Sequence, residues 1–130
     1  FQTSYGWCRR RQIIDLDKAL TECGINPAVL RLENPPPLEI TTYVIGGQVE
    51  GGLYALECLV FDDQKNVICE FDTAQIEVAV THWVQIRKIL KEFKGKVPRY
   101  VQWTDAGKDK VYWAGYFGTC MTGAAVHLLL

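Results

Sequence analysis

The chain has 130 residues, 48% of them hydrophobic, which is enough to build one core and too many for a disordered segment. A formal net charge of −1 excludes a nucleic-acid surface built on bulk positive charge. No apolar run is long enough to span a bilayer, and no signal-peptide pattern is visible.

From the N-terminus, "RQIIDL" (11–16) is apolar and β-branched and reads as a strand. In "LDKALTECG", Leu16, Ala19, Leu20 and Cys23 fall at helical spacing and Gly24 is the stop, so a short helix is expected. "NPPP" (34–37) is a rigid extended lead into "LEITTYVI" (38–45), a strand rich in Ile, Thr, Tyr and Val. "GLYALECLVF" sets Tyr54, Leu56, Cys58 and Val60 on one face, and "IEVAV" does the same for Ile76, Val78 and Val80. "IRKILKEF" carries Ile86, Ile89, Leu90 and Phe93 at helical spacing but follows a strand-like "HWVQI", and periodicity alone leaves both readings open. "RYVQW" alternates, with Val101 and Trp103 together, and "HLLL" reads as an end strand. The segments "GGQVEGG", "DDQKN", "KGKVP" and "DAGKD" have turn chemistry. Short strands separated by such turns predict an all-β sandwich or barrel, with no internal repeat and no domain boundary.

Five cysteines, Cys8, Cys23, Cys58, Cys69 and Cys120, form no CxxC. A zinc site or a thioredoxin-like motif therefore has no support, and free thiols point to a reducing compartment, cytosol or nucleus. His82 and His127 are far apart and neither accompanies a nucleophile motif, so structural roles are the better reading. GxSxG, HExxH and P-loop patterns do not occur, and no cofactor or catalytic residue is assigned. "CRRRQ" puts Arg9 and Arg11 on one strand face, a solvated face rather than an anion site. In "GGQVEGG", four glycines frame Glu50, whose carboxylate can accept ligand hydroxyl or amide hydrogens. Aromatic residues cluster near the two ends of the chain: Tyr5, Trp7, Tyr112, Trp113, Tyr116 and Phe117. Most should be core, but adjacent Tyr112 and Trp113 cannot share one face of an extended strand. An exposed Tyr–Trp pair suits the apolar face of a sugar ring or a peptide.

The ordered set Trp7-Cys8, Asp15-Leu16, Leu53-Tyr54, Trp83, Arg99-Tyr100 and Tyr112-Trp113-x-Gly115 resembles the F-box-associated domain over essentially the whole chain, residues 1–130 as one domain. The resemblance implies an antiparallel β-sandwich of about ten strands, galactose-binding or jelly-roll-like, with one short helix. It implies that "HWVQI" starts a strand, which sets aside the helical reading of "IRKILKEF". It also implies a non-catalytic, cytoplasmic substrate-recognition domain of a ubiquitin-ligase receptor of the SCF type. Such a domain binds the chitobiose core of high-mannose N-glycans on misfolded glycoproteins, with neither nucleic acid nor membrane as partner. A Skp1-type adaptor and a cullin would be reached through an F-box that these residues do not contain. By the same resemblance, Trp113 packs on a GlcNAc flanked by Tyr5 and Tyr112, and Glu50 supplies the carboxylate. Three departures bear on the site. Val49 stands where the pattern has an aspartate, Ala114 where a glycan-binding member has a lysine, and "MTGAA" (121–125) where it has Thr-Asn-Ser-Ser. The alternative is the same fold acting as a protein-interaction module that has lost glycan binding.

Overall fold

Alternating apolar residues fold here into two antiparallel sheets. The computed structural model describes residues 2–3, 6–47, 51–109 and 119–130. In chain order the elements are β1 (Cys8–Asp15), α1 (Leu16–Glu22), a 3-10 turn (Pro27–Arg31), β2 (Leu38–Ile45), β3 (Gly52–Phe61), β4 (Val67–Asp72), β5 (Ile76–Val78), β6 (Val84–Leu90), β7 (Tyr100–Asp109) and β8 (Cys120–Leu128). One sheet has the order β1-β7-β3-β4, with β5 also pairing β3; the other has the order β6-β2-β8. The expected β-sandwich with one short helix is the observed fold, with eight strands among the described residues.

The core lies between the sheets. Tyr54, Leu56, Cys58 and Val60 of β3 are all buried, as the alternation predicts, beside Val101 and Trp103 of β7. They pack on Leu38, Ile40 and Val44 of β2 and Met121 of β8, while Leu16, Leu20 and Leu30 close one end. Each fully buried Leu, Ile or Val contributes about 1.5–3 kcal/mol relative to exposure. The "IRKILKEF" segment is strand through Leu90, pairing β2 in register from Leu38↔Leu90 to Val44↔Val84. Helical spacing within it is overridden by this pairing, and Leu90 and Phe93 enter the core.

Three local expectations are corrected. Leu16, claimed by both the strand and the helix reading, does not end β1 but opens α1 as the helix reading has it, because the Asp15 side chain accepts a hydrogen bond from the Lys18 amide at 3.3 Å and caps the helix. Val80 is not a strand residue: β5 stops at Val78, the Ala79 carbonyl turns to accept from the Gly46 amide at 2.8 Å, and Val80 is exposed. "DAGKD" is not a turn but the last five residues of β7, paired on one side with β1 and on the other with β3. "DDQKN" is a turn: the Asp62 carboxylate accepts from the amides of Gln64 and Asn66 at 3.0 and 2.8 Å, and Lys65 takes φ 63°.

Asp105 explains the reading of "DAGKD". It is buried at 1% exposure and grips Arg10 on the neighbouring strand in a bidentate pair, Nε–Oδ1 2.8 Å and Nη2–Oδ2 2.7 Å. The Tyr54 hydroxyl donates to the same carboxylate at 2.8 Å. A polar chain thus runs within one sheet from Arg10 on β1 through Asp105 on β7 to Tyr54 on β3. Thr42, on the facing sheet, donates to the Thr122 carbonyl at 3.2 Å. Burial, then the adjacent Asp105 charge, pushes the Tyr54 hydroxyl well above the ordinary tyrosine range.

Candidate functional site

Tyr5, Glu50, Tyr112 and Trp113 lie outside the described residues, as do Val49, Ala114, Tyr116 and Phe117. The residues flanking those stretches are described, and they meet at one end of the sandwich. The Thr3 amide and hydroxyl both donate to the Thr119 carbonyl at 3.0 Å, and Gln2 bridges Cys120. The Thr119 hydroxyl in turn donates to the Leu53 carbonyl at 2.9 Å. Gly52 pairs with Asp109 on one side and Val78 on the other.

Glycine is required at these junctions. A Cβ on Gly52 would overlap the Thr119 hydroxyl, and one on Gly46 would strike the Val78 carbonyl and lie 2.7 Å from Gly51 Cα. The "GG" pairs that read from sequence as loop flexibility are therefore also close-packing positions. They bring the roots of three stretches together: the first residues, the β2–β3 connection and the β7–β8 connection.

Two tryptophans also mark this end. Trp7, just before β1, is 44% exposed, and the Lys108 ammonium sits over its ring at 5.9 Å from the centroid. Trp83, just before β6, is 47% exposed. The β6–β2 register continues Trp83 toward Ile45, the residue where β2 ends. Neither was singled out as a site residue from sequence. The available signal was a large ring placed immediately before a strand, outside its alternation.

The remaining candidates fall elsewhere. Arg9 and Arg11 are exposed on the outer face of β1, as the solvated reading has it, and it is Arg10 between them that turns inward to Asp105. His82 is exposed and shares a hydrogen bond with the Thr81 hydroxyl at 2.9 Å, while His127 is exposed near the end of β8. All five cysteines are free. Burial, with the neighbouring Cys69 adding to it, pushes the Cys58 thiol up to about 12, so it packs as a small hydrophobe. Among the described residues, no group of three or more His, Cys, Asp or Glu is placed to hold a metal ion. No helix among them is long and apolar enough to cross a membrane.

A family model described as the F-box associated region matches residues 1–128. F-box only protein 2 of Bos taurus is 28% identical over 130 residues, covering 97% of this chain and 42% of that protein. F-box only protein 27 of Mus musculus is 25% identical, covering 97% of this chain and 44% of its own length. F-box only protein 17 of Homo sapiens is 27% identical, covering 98% and 45%. The chain therefore spans less than half the length of these curated relatives. A chain in the solved structure of infectious bursal disease virus, Gx strain, superposes with TM-score 0.51 at 8% identity, over 94% of this chain and 26% of that one. That likeness is one of fold alone.

Proposed function

Because this chain belongs to the F-box-associated family, we propose that its 130 residues form one substrate-recognition unit that binds the chitobiose core of high-mannose N-glycans. In this reading it selects misfolded glycoproteins for a cytoplasmic ubiquitin ligase of the SCF type. It performs no chemistry itself, and an F-box elsewhere in the full-length protein recruits the Skp1-type adaptor and cullin. Free thiols in all five cysteines accord with a reducing compartment.

The observation that carries the sugar reading is the convergence of Thr3, Gly46, Gly52 and Thr119. The described residues that flank Tyr5, Glu50, Tyr112 and Trp113 in sequence meet at that end. Aromatic rings in such a group stack on the apolar face of a GlcNAc, and a carboxylate accepts from its hydroxyl or amide hydrogens. One charge-assisted hydrogen bond of this kind is worth about 1.5–3 kcal/mol, or about a factor of ten or more in affinity. Indole-detected NMR titration with chitobiose tests the reading. Trp113 is expected to shift at millimolar sugar, and Trp113→Ala to abolish binding. An unmoved Trp113 resonance, or undiminished binding by the variant, refutes it.

The second reading, an interaction module that does not hold sugar, is favoured by Val49 and Ala114, which replace an acid and a lysine of the glycan-binding pattern. Its signature is a set of captured partners unchanged by enzymatic deglycosylation.

A further inference from the structure

Trp83 has an aromatic neighbour across its sheet. β2 is the middle strand there, between β6 and β8. Leu38, Ile40 and Val44 turn into the core, so Tyr43 points outward, and it is 40% exposed. On the β6 side Tyr43 pairs with Gln85. Val84 packs against the core, which turns its neighbours Gln85 and Trp83 outward on the side of Tyr43. Trp83, 47% exposed, then stands diagonally from Tyr43, a spacing of about 7–8 Å that large rings bridge. Single exposed hydrophobic residues are ordinary on a protein surface, but large ones that adjoin mark binding sites.

The β8 side of Tyr43 is shaped to lay its ring down. Thr41 faces Ala125 and Tyr43 faces Thr122, so Gly123 and Ala124 together stand opposite Thr42 alone. Gly123 takes φ 65°, and a Cβ there would lie 3.1 Å from Tyr43 Cδ2. The ring leans over Gly123, where a side chain would otherwise stand, and shows its opposite face to solvent. The groups around it are polar and uncharged. The exposed Gln85 and Thr122 flank Tyr43 on its two sides. Farther along the same face, Arg87 and Glu39 neutralise each other at 2.6 Å. Apolar ring faces beside an amide and a hydroxyl suit a neutral polyhydroxylated ring, whose C–H face stacks and whose hydroxyls hydrogen-bond. These residues offer no unmatched charge to select an acidic or a basic peptide. From this patch β2 runs through Ile45 to Gly46, one of the glycines that mark the end assigned to chitobiose.

We propose that Tyr43 and Trp83 form a second sugar platform, which holds a mannose residue of the same glycan while Gln85 and Thr122 bond to its hydroxyls. The proposal rests on the glycan reading and assigns the part of that glycan beyond the chitobiose.

The test follows the indole resonances of the whole chain, that of Trp83 assigned by its absence in Trp83→Phe. One arm adds chitobiose, the other chitobiose extended by its mannose core. Chitobiose alone is expected to shift Trp113 and leave Trp83 in place, whereas the mannosylated glycan shifts both. Trp83→Ala, and Tyr43→Leu, which keeps an apolar cover over Gly123 without a ring, should each weaken binding of the mannosylated glycan by about threefold to tenfold. Both variants should bind chitobiose as the native chain does, which also shows them folded. The two readings fail separately. A Trp113 resonance silent toward chitobiose sinks the chitobiose reading. A Trp83 resonance silent toward the mannosylated glycan overturns this proposal whatever Trp113 does, as does undiminished binding of that glycan by both variants.

Discussion

Replacing Arg10 by methionine tests whether the polar chain through the core is held as a unit. Asp105 is fully buried, with 0% of its side chain exposed, whereas 29% of the Arg10 side chain reaches the surface. Removing Arg10 therefore leaves a charge that water cannot solvate, with the Tyr54 hydroxyl among its few remaining partners. Breaking a buried pair from this side costs about 3 kcal/mol or more. At a urea slope of about 2 kcal/mol per molar, the unfolding midpoint should fall by about 1.5 M. Asp105→Asn is the asymmetric partner. It keeps an acceptor for Tyr54, and the exposed part of Arg10 can turn to water, so its cost should be about 1 kcal/mol. The double variant should lie within about 0.5 kcal/mol of Asp105→Asn alone, giving a coupling of about 2.5–3.5 kcal/mol. Equilibrium urea denaturation of the four proteins reads this directly. A loss below about 1 kcal/mol for Arg10→Met, or single effects that simply add, would refute the assignment.

Gly46→Ala forces a Cβ against the backbone of Val78 and Gly51, which cannot swing aside as a side chain can. It should cost about 1–3 kcal/mol by thermal unfolding and, on the proposed function, weaken chitobiose binding in parallel. At alkaline pH the unfolded chain ionises Cys58 from its ordinary value of 9.0 and Tyr54 from 10.0, while the fold holds both protons to higher pH. The unfolded state then binds fewer protons, so stability should fall as pH rises above 9, and Cys58→Val should flatten the first part of that fall in pH-dependent denaturation. At acid pH the sign reverses. The Arg99 hydrogen bond holds the Asp15 carboxyl below its ordinary 3.8. Its contribution is complete above that value and is lost as pH falls through the lower, folded one. Asp15→Asn retains a helix cap but removes this charge, and its acid-unfolding curve should be shallower.

Where information was local, the sequence was readable. Leu38–Ile45 is a strand at the boundaries its β-branched run predicts, and the inward face of β3 follows directly from alternation. The helix from Leu16 is equally local, set by apolar spacing and a capping aspartate. Misreadings arose where a distant partner decides. Asp105 and Gly107 look like turn residues. One is buried because Arg10 lies on the adjacent strand, and the other is small because Thr3 and Thr119 press against it. No window of β7 contains those partners. The same limit hid Arg10, because Arg9 and Arg11 share a face in sequence while the intervening residue meets the buried acid. For "IRKILKEF", periodicity was ambiguous, and only the family resemblance chose the strand that the β2 register bears out. Trp7 and Trp83 were visible as residues but not as neighbours of one end, since that depends on strand order.

The pairing of β1 with β7 and of β2 with β8 also governs how the chain is made. Residues 8–15 emerge from the ribosome long before their hydrogen-bonding partners, residues 100–107, and β2 waits for residues 120–128 on one of its sides. Neither sheet can be completed until nearly the whole segment has been synthesised, and such non-local β topologies fold slowly. During that interval the nascent strands present unpaired edges, the state most prone to aggregation and chaperone capture. A ribosome stalled after β6 would carry a polypeptide lacking the partners of β1 and half the partners of β2. A receptor built on this fold is thus, until its last strands are laid down, as vulnerable to quality control as the proteins it is proposed to police.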